Sequence, residues 1–200
     1  MRAVTLMGLD DIPLEGTVPV PYRLSYIPSG DAGVRATLNV MVAIVIAYRK
    51  SPLVRMWAQG LAGDCENRDR VCQVSQVQAT VRDTIKYLPD VRDVETIQTP
   101  DYTLRMGSGD CDDQSVLVAC ALESIGFETR FCAIARHGGP FSHVSSQVRL
   151  GKTWVNLETI LPGLPADWCD PAGNCYPAGS PVPIGWFPPD VTAVKCVRVD

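Results

Sequence analysis

Three residues of this 200-residue chain have the types and the order that thiol chemistry needs: Cys111, His143 and Glu158. Cys111 ends the run Gly107-Ser108-Gly109-Asp110 and opens a helical pattern. A thiol in that position lies beside unpaired backbone N–H groups and the positive end of the helix dipole, which favours thiolate and hence nucleophile. A thiol near its free pKa is only a few per cent ionised at neutral pH, so an imidazole has to take its proton and later return it to a leaving amine. His143 fits that role. Its rival, His137, sits in a glycine-rich loop and reads as solvent-exposed or substrate-lining. A carboxylate on the other ring nitrogen holds the tautomer and steadies the imidazolium, which is the part open to Glu158. The Cys111 backbone N–H is a natural donor to an oxyanion. The second donor is not fixed by sequence; Gln98 and Tyr102, on the preceding connector, are candidates.

These side chains meet only if the local elements bring them to facing surfaces. Asp110 is a good N-cap, and Asp113 three positions on gives an acidic capping box, so the helix starts at Cys111. It runs to about Ser124 with Gly126 as its stop. Cys111, Ser115, Val118, Leu122 and Ile125 share one stripe of it, which aims the sulfur at a packing partner. Residues 127–135 alternate as a strand does, and two further strands, 143–150 and 153–160, flank Gly151-Lys152, a glycine-first two-residue turn. With Leu150 opposite Thr153, Ser145 falls opposite Glu158 and His143 opposite Ile160. His143 and Glu158 are then diagonal neighbours, roughly 7 to 8 Å apart at the backbone and within reach of a hydrogen bond. Val144, Val148, Leu150, Val155 and Leu157 take the other face and supply the core. Asp112 and Asp113 read as first-turn charges that complement the dipole, not as metal ligands; their charge opposes ionisation of the thiol.

The rest of the chain divides by punctuation. Residues 1–32 carry Pro13, Pro19, Pro21 and Pro28 and read as an extended arm. Helical spacing recurs over 33–50, 53–61 and 71–88, and Leu88 closes the last apolar face before Pro89. A polar connector covers 90–106. Residues 161–190 hold eight prolines and four glycines, which predicts an irregular excursion rather than sheet. A final strand spans 191–199.

A net charge of -4 and the absence of a basic stripe disfavour a nucleic-acid partner. The apolar run 38–48 is shorter than a bilayer requires and reads as a buried helix. No signal-peptide pattern opens the chain, so the expected location is the cytoplasm of a host cell, or a particle packaged from it. Of eight cysteines, Cys111, Cys120 and Cys132 fall inside regular elements. Cys65 and Cys72, like Cys169 and Cys175, flank short polar loops and are open to local disulfides, free thiols or a four-cysteine zinc site.

The run Gly109-Asp110-Cys111-Asp112-Asp113, the helix ending before a Gly-Phe strand, His143-Val144 opening a strand and Trp154-Val155-Asn156-Leu157-Glu158 together resemble the transglutaminase-like cysteine enzymes. The resemblance covers about 99–160. Residues 26–33, Thr37-Leu38, 51–55 and 94–100 are more loosely similar to small members carried by bacteriophages and prophages. The resemblance implies an α+β, papain-like fold in one domain, with 1–32 as arm, 33–90 as helical region, 91–160 as catalytic core, 161–190 as excursion and 191–200 as final strand. It implies Cys111 as nucleophile, His143 as base and Glu158 as orienting carboxylate, a position where the family commonly has aspartate. The activity so implied is acyl transfer from an amide through a thioester, in a peptidase or amidase acting on protein or peptide, with no cofactor and no metal. The alternative is a virion or assembly component that keeps the fold with little activity and docks on neighbouring subunits through its extended segments.

Overall fold

The computed structural model describes residues 2–7, 22–66, 69–91, 94–160, 167–169, 175–177, 182–183 and 191–199. The chain runs β1 (Arg2–Met7), β2 (Tyr22–Ile27), α1 (Asp31–Tyr48), α2 (Pro52–Gly63), α3 (Arg70–Thr84), β3 (Lys86–Tyr87), β4 (Val94–Gln98), α4 (Pro100–Met106), β5 (Ser108–Gly109) and α5 (Cys111–Ser124). It continues through β6 (Thr129–Arg136), β7 (Phe141–Leu150), β8 (Thr153–Leu157), β9 (Asp167–Cys169), β10 (Cys175–Pro177), β11 (Val182–Pro183) and β12 (Val191–Arg198). The fold is α+β, with the helices gathered against an antiparallel sheet of order β11-β8-β7-β6-β12.

Helix α5 is the centre of the core. Its residues Asp112 to Leu122 are all buried, enclosed by α1, α2, α3 and α4 on one side and by β6 and β7 on the other. The expected single stripe is therefore only part of its buried surface: Ser115 and Val118 face the sheet side, and the opposite face is covered by helices rather than water. Leu38, Met41 and Val45 of α1 and Val74, Val77 and Val81 of α3 complete this core. At 18 residues and mean hydropathy 1.4, α1 is long and apolar enough to match a bilayer, and its buried face belongs to this core.

Several boundaries differ from the sequence reading, each for a local reason. The first 32 residues are not simply an arm, because β1 and β2 pair with each other and β1 pairs in parallel with β4, giving a sheet of order β2-β1-β4. Neither strand contains proline, so both keep a full set of N–H donors; Pro13, Pro19 and Pro21 lie outside the described residues. The connector 90–106 holds β4 and α4. Helix α3 stops at Thr84 instead of reaching Leu88, since the Lys86 and Leu88 N–H groups donate to Gly107 and Gly109 at 2.9 and 3.1 Å and draw the chain into β3 beside β5. Strand β8 ends at Leu157, not Ile160. Of 161–190, the described parts are short strands: β11 extends the main sheet beside β8, and β9 and β10 pair with Cys169 opposite Cys175.

The cysteines also depart from expectation. Cys65 and Cys72 form a disulfide, which rules out their sharing a zinc site. Cys132 bridges Cys196 across β6 and β12, whose Cα atoms are 4.1 Å apart in direct register. That pairing is non-local, and nothing in the spacing announces it. Cys111 and Cys120 are free thiols.

Candidate active site

The turn before Cys111 is built by two aspartates and a glycine. Asp110 caps α5 by accepting the Asp112 and Asp113 N–H groups at 3.0 and 3.3 Å. Asp113 reaches back to accept the Asp110 N–H at 3.1 Å, closing the expected capping box. Its other oxygen accepts the Gln98 N–H at 2.7 Å, which ties the end of β4 to the start of α5. Gln98 Oε1 in turn accepts from Thr103 on α4; Tyr102 is half-buried on the same helix.

Across from this turn, β8 has already ended, with Leu157 opposite Ser146. The Val144 backbone therefore has no strand partner on that side, and α5 uses it. Ser115 Oγ donates to the Val144 carbonyl at 3.3 Å, which brings the start of α5 against the residue that follows His143. The Cys111 sulfur lies 3.4 Å from Asp112 Oδ1. Among the described residues no hydrogen bond joins it to His143.

The hairpin has the expected register, from Leu150 opposite Thr153 to Ser146 opposite Leu157, with Gly151 turning at φ +62°. His143 and Glu158 meet: Nε2 is 2.8 Å from Oε2, and both side chains are about one-tenth exposed. Glu158 lies just past β8, and its other oxygen accepts the N–H groups of Thr159 and Ile160 at 3.0 and 2.9 Å. The side chain folds back on its own backbone, which takes up the extra methylene that separates glutamate from aspartate. Because Nε2 faces Glu158, Nδ1 is the ring nitrogen left for other work. Beside this pair, Ser145 Oγ donates to Asn156 Oδ1 at 2.7 Å, and both residues are buried. His137 is exposed with φ 52° and takes no part.

Burial governs the electrostatics. It pushes the Cys111 thiol well above the ordinary cysteine range; Asp112 and Asp110 push the same way, and the Val144 N–H acts against them. The thiol is neutral at rest. The aspartates are shifted as well: burial and nearby Asp90 raise Asp110 to about 7, and burial with Asp110 raises Asp113 to about 8. Asp112 is raised well above its ordinary value by burial and by the neighbouring Glu95. Among the described residues no cation pairs with these three. Asp110, Cys111 and Asp112 offer ligand atoms within 4.8 Å of one another, and Asp112 Oδ2 is buried without a hydrogen-bond partner.

Two features of the site escaped the sequence reading. Tyr87 of β3, 54% exposed, stands opposite Gly109, two residues before Cys111, and Leu88 and Val91 that follow it are exposed. Gln78 of α3 is buried and donates from Nε2 to the Glu158 carbonyl at 2.8 Å. An apolar helix face interrupted by one amide was the available signal.

Against known proteins, the family model described as "Transglutaminase-like superfamily" matches residues 55–159. No curated protein matches the sequence. Among solved structures, a candidate protease from Parabacteroides distasonis aligns with a TM-score of 0.52 at 13% identity over 70% of this chain. This chain spans only 32% of that protein. The calcium-bound LapG of Legionella pneumophila aligns with a TM-score of 0.50 at 12% identity, over 78% of this chain and 80% of that one. At such identities the likeness concerns the fold.

Proposed function

Because the chain belongs to the transglutaminase-like superfamily, we propose that it is a thiol enzyme that transfers the acyl group of an amide in a protein or peptide through a thioester. The observation that carries this reading is the 2.8 Å contact between His143 and Glu158, on a hairpin whose Val144 carbonyl accepts from Ser115, one turn along α5 from the thiol. For the reaction the sulfur must leave Asp112 and meet His143 Nδ1. The imidazole then takes the thiol proton while Glu158 steadies the ring, and sulfur attacks the amide carbon. The Cys111 N–H, at the open end of α5, faces the oxyanion. His143 returns the proton to the departing amine, leaving the thioester, and water attacks next with His143 again as base to release the acid and restore the thiol. Water is favoured over a lysine amine as acceptor, which makes the activity that of a peptidase or amidase. The exposed Tyr87, Leu88 and Val91 suit a polypeptide with apolar side chains near the scissile bond.

The test is the rate of iodoacetamide labelling. Cys111 reacts faster than Cys120, the other free thiol among the described residues, and Cys111→Ser removes the fast site; equal rates would end the thiol-enzyme reading. A second reading, an assembly or virion component of a phage with a resting fold, draws support from the contact of the thiol with Asp112 rather than His143. It expects slow labelling and stable association with other subunits.

The LapG relative is named as calcium-bound. Here Asp110 and Asp112, with the unpartnered Asp112 Oδ2, fit a hard cation. Bound there, it would supply positive charge in place of the protons these carboxyls hold.

A further inference from the structure

We propose that Gln78, on α3, is a positioning residue for the His143 and Glu158 pair. The inference rests on the reading of those two residues given above. Among the described residues, Glu158 lies beyond the last paired residue of β8. Its carbonyl is instead held by Gln78 Nε2 at 2.8 Å. The carbonyl accepts only, so the amide must present its NH₂ group there, and the orientation of the side chain is determined. This leaves Gln78 Oε1 buried without a hydrogen-bond partner, a cost that a methionine or leucine at the same place would avoid. A polar residue kept under that penalty inside the Val74, Val77 and Val81 face is accounted for by what its donor does.

The effect passes through a short path. Gln78 fixes the Glu158 carbonyl, the Thr159 and Ile160 N–H groups fix Oε1, and Oε2 is left with one direction, toward His143 Nε2. Loss of the first contact loosens the Glu158 backbone, and the carboxylate can swing from the ring. Helix α3 thereby enters the candidate site without touching a reacting atom.

The chain has two histidines, so long-range proton–nitrogen NMR of the ring nitrogens reports the tautomer of His143 directly. In the unsubstituted protein above neutral pH the Nε2–H form dominates. Gln78→Met, close in volume, brings in the Nδ1–H form and slows Cys111 labelling by about tenfold, and Glu158→Gln shows the larger change of the same kind. A lower Tm with unchanged ring signals would overturn the proposal by giving Gln78 a merely structural role. If Gln78→Met fails to fold, the unsubstituted protein decides: the Gln78 side-chain amide resonances follow the titration of the His143 ring, and amide signals indifferent to it overturn the proposal. Slow labelling of Cys111 in the unsubstituted protein is a separate result that counts against the thiol-enzyme reading, while the tautomer still decides on Gln78.

Discussion

A β-carbon added at Gly109 would stand 2.6 Å from the Cβ of Asp113. No side chain fits two residues before the candidate nucleophile, because Asp113 folds over that spot to take the Asp110 and Gln98 N–H groups. Gly109→Ala is expected to cost about 2 to 3 kcal/mol by displacing Asp113. Gly107→Ala, where φ is +62° but no atom lies within 4 Å, costs about 1 kcal/mol. Urea unfolding of the two variants checks the order, and equal losses would deny the Asp113 contact its role.

Removing the base should be felt at the thiol. His143→Ala is expected to slow iodoacetamide labelling of Cys111 by about 100-fold, the range of a lost general base. Glu158→Gln, which keeps the shape and loses the charge, slows it by about tenfold or more. Mass spectrometry of the alkylated peptide gives both rates, and unchanged labelling in His143→Ala would separate the imidazole from the thiol.

The buried aspartates make stability depend on pH in an unusual direction. Asp110 and Asp113 are raised from 3.8 to about 7 and about 8, so between roughly pH 4 and 8 the folded chain holds protons that the unfolded chain has released. Their contribution is full at the acid end of that window and is lost as pH rises through the folded-state values. The urea midpoint is expected to fall steadily between pH 5 and pH 9. Asp112→Asn, which removes one carboxyl from the group, reduces the fall.

Calcium should act on the same group. If it binds at Asp110 and Asp112, added calcium raises Tm most at pH 8, where the cluster has lost protons, and chelation reverses the rise. Asp112→Asn abolishes the response. A Tm indifferent to calcium in differential scanning would remove the cation from the account.

The two bridges differ in the length of chain they close. Cys132–Cys196 spans 64 positions and Cys65–Cys72 spans 7. From loop entropy, Cys196→Ala costs roughly 4 kcal/mol and Cys72→Ala about 2 kcal/mol. Urea unfolding with and without reductant checks the ranking.

What the sequence disclosed followed short-range rules. The start of α5 was legible because Asp110 and Asp113 are cap residues at cap spacing, and the His143 to Glu158 contact was legible because a two-residue turn at Gly151 fixes the register of everything behind it. Pairings between distant segments were not. β1 with β4, β3 with β5 and Cys132 with Cys196 depend on the assembled fold, and local spacing encodes none of them. Burial was hidden as well: Asp112 and Asp113 read as first-turn charges that complement the dipole, yet enclosure by four helices and a sheet raises both above the ordinary carboxylate range. Gln78 drew no reading from the sequence, since its partner lies 80 positions away.

Helix α5 is enclosed from Asp112 to Leu122, and that enclosure divides the site into a fixed half and a yielding half. The sulfur is mounted on an element that cannot tilt without disturbing four other helices. The imidazole and its carboxylate stand where β8 has run out, and the rim at Tyr87 belongs to a two-residue strand. Accommodation of an incoming chain must therefore come from the hairpin end and the rim, with the nucleophile as the stationary reference around which both adjust.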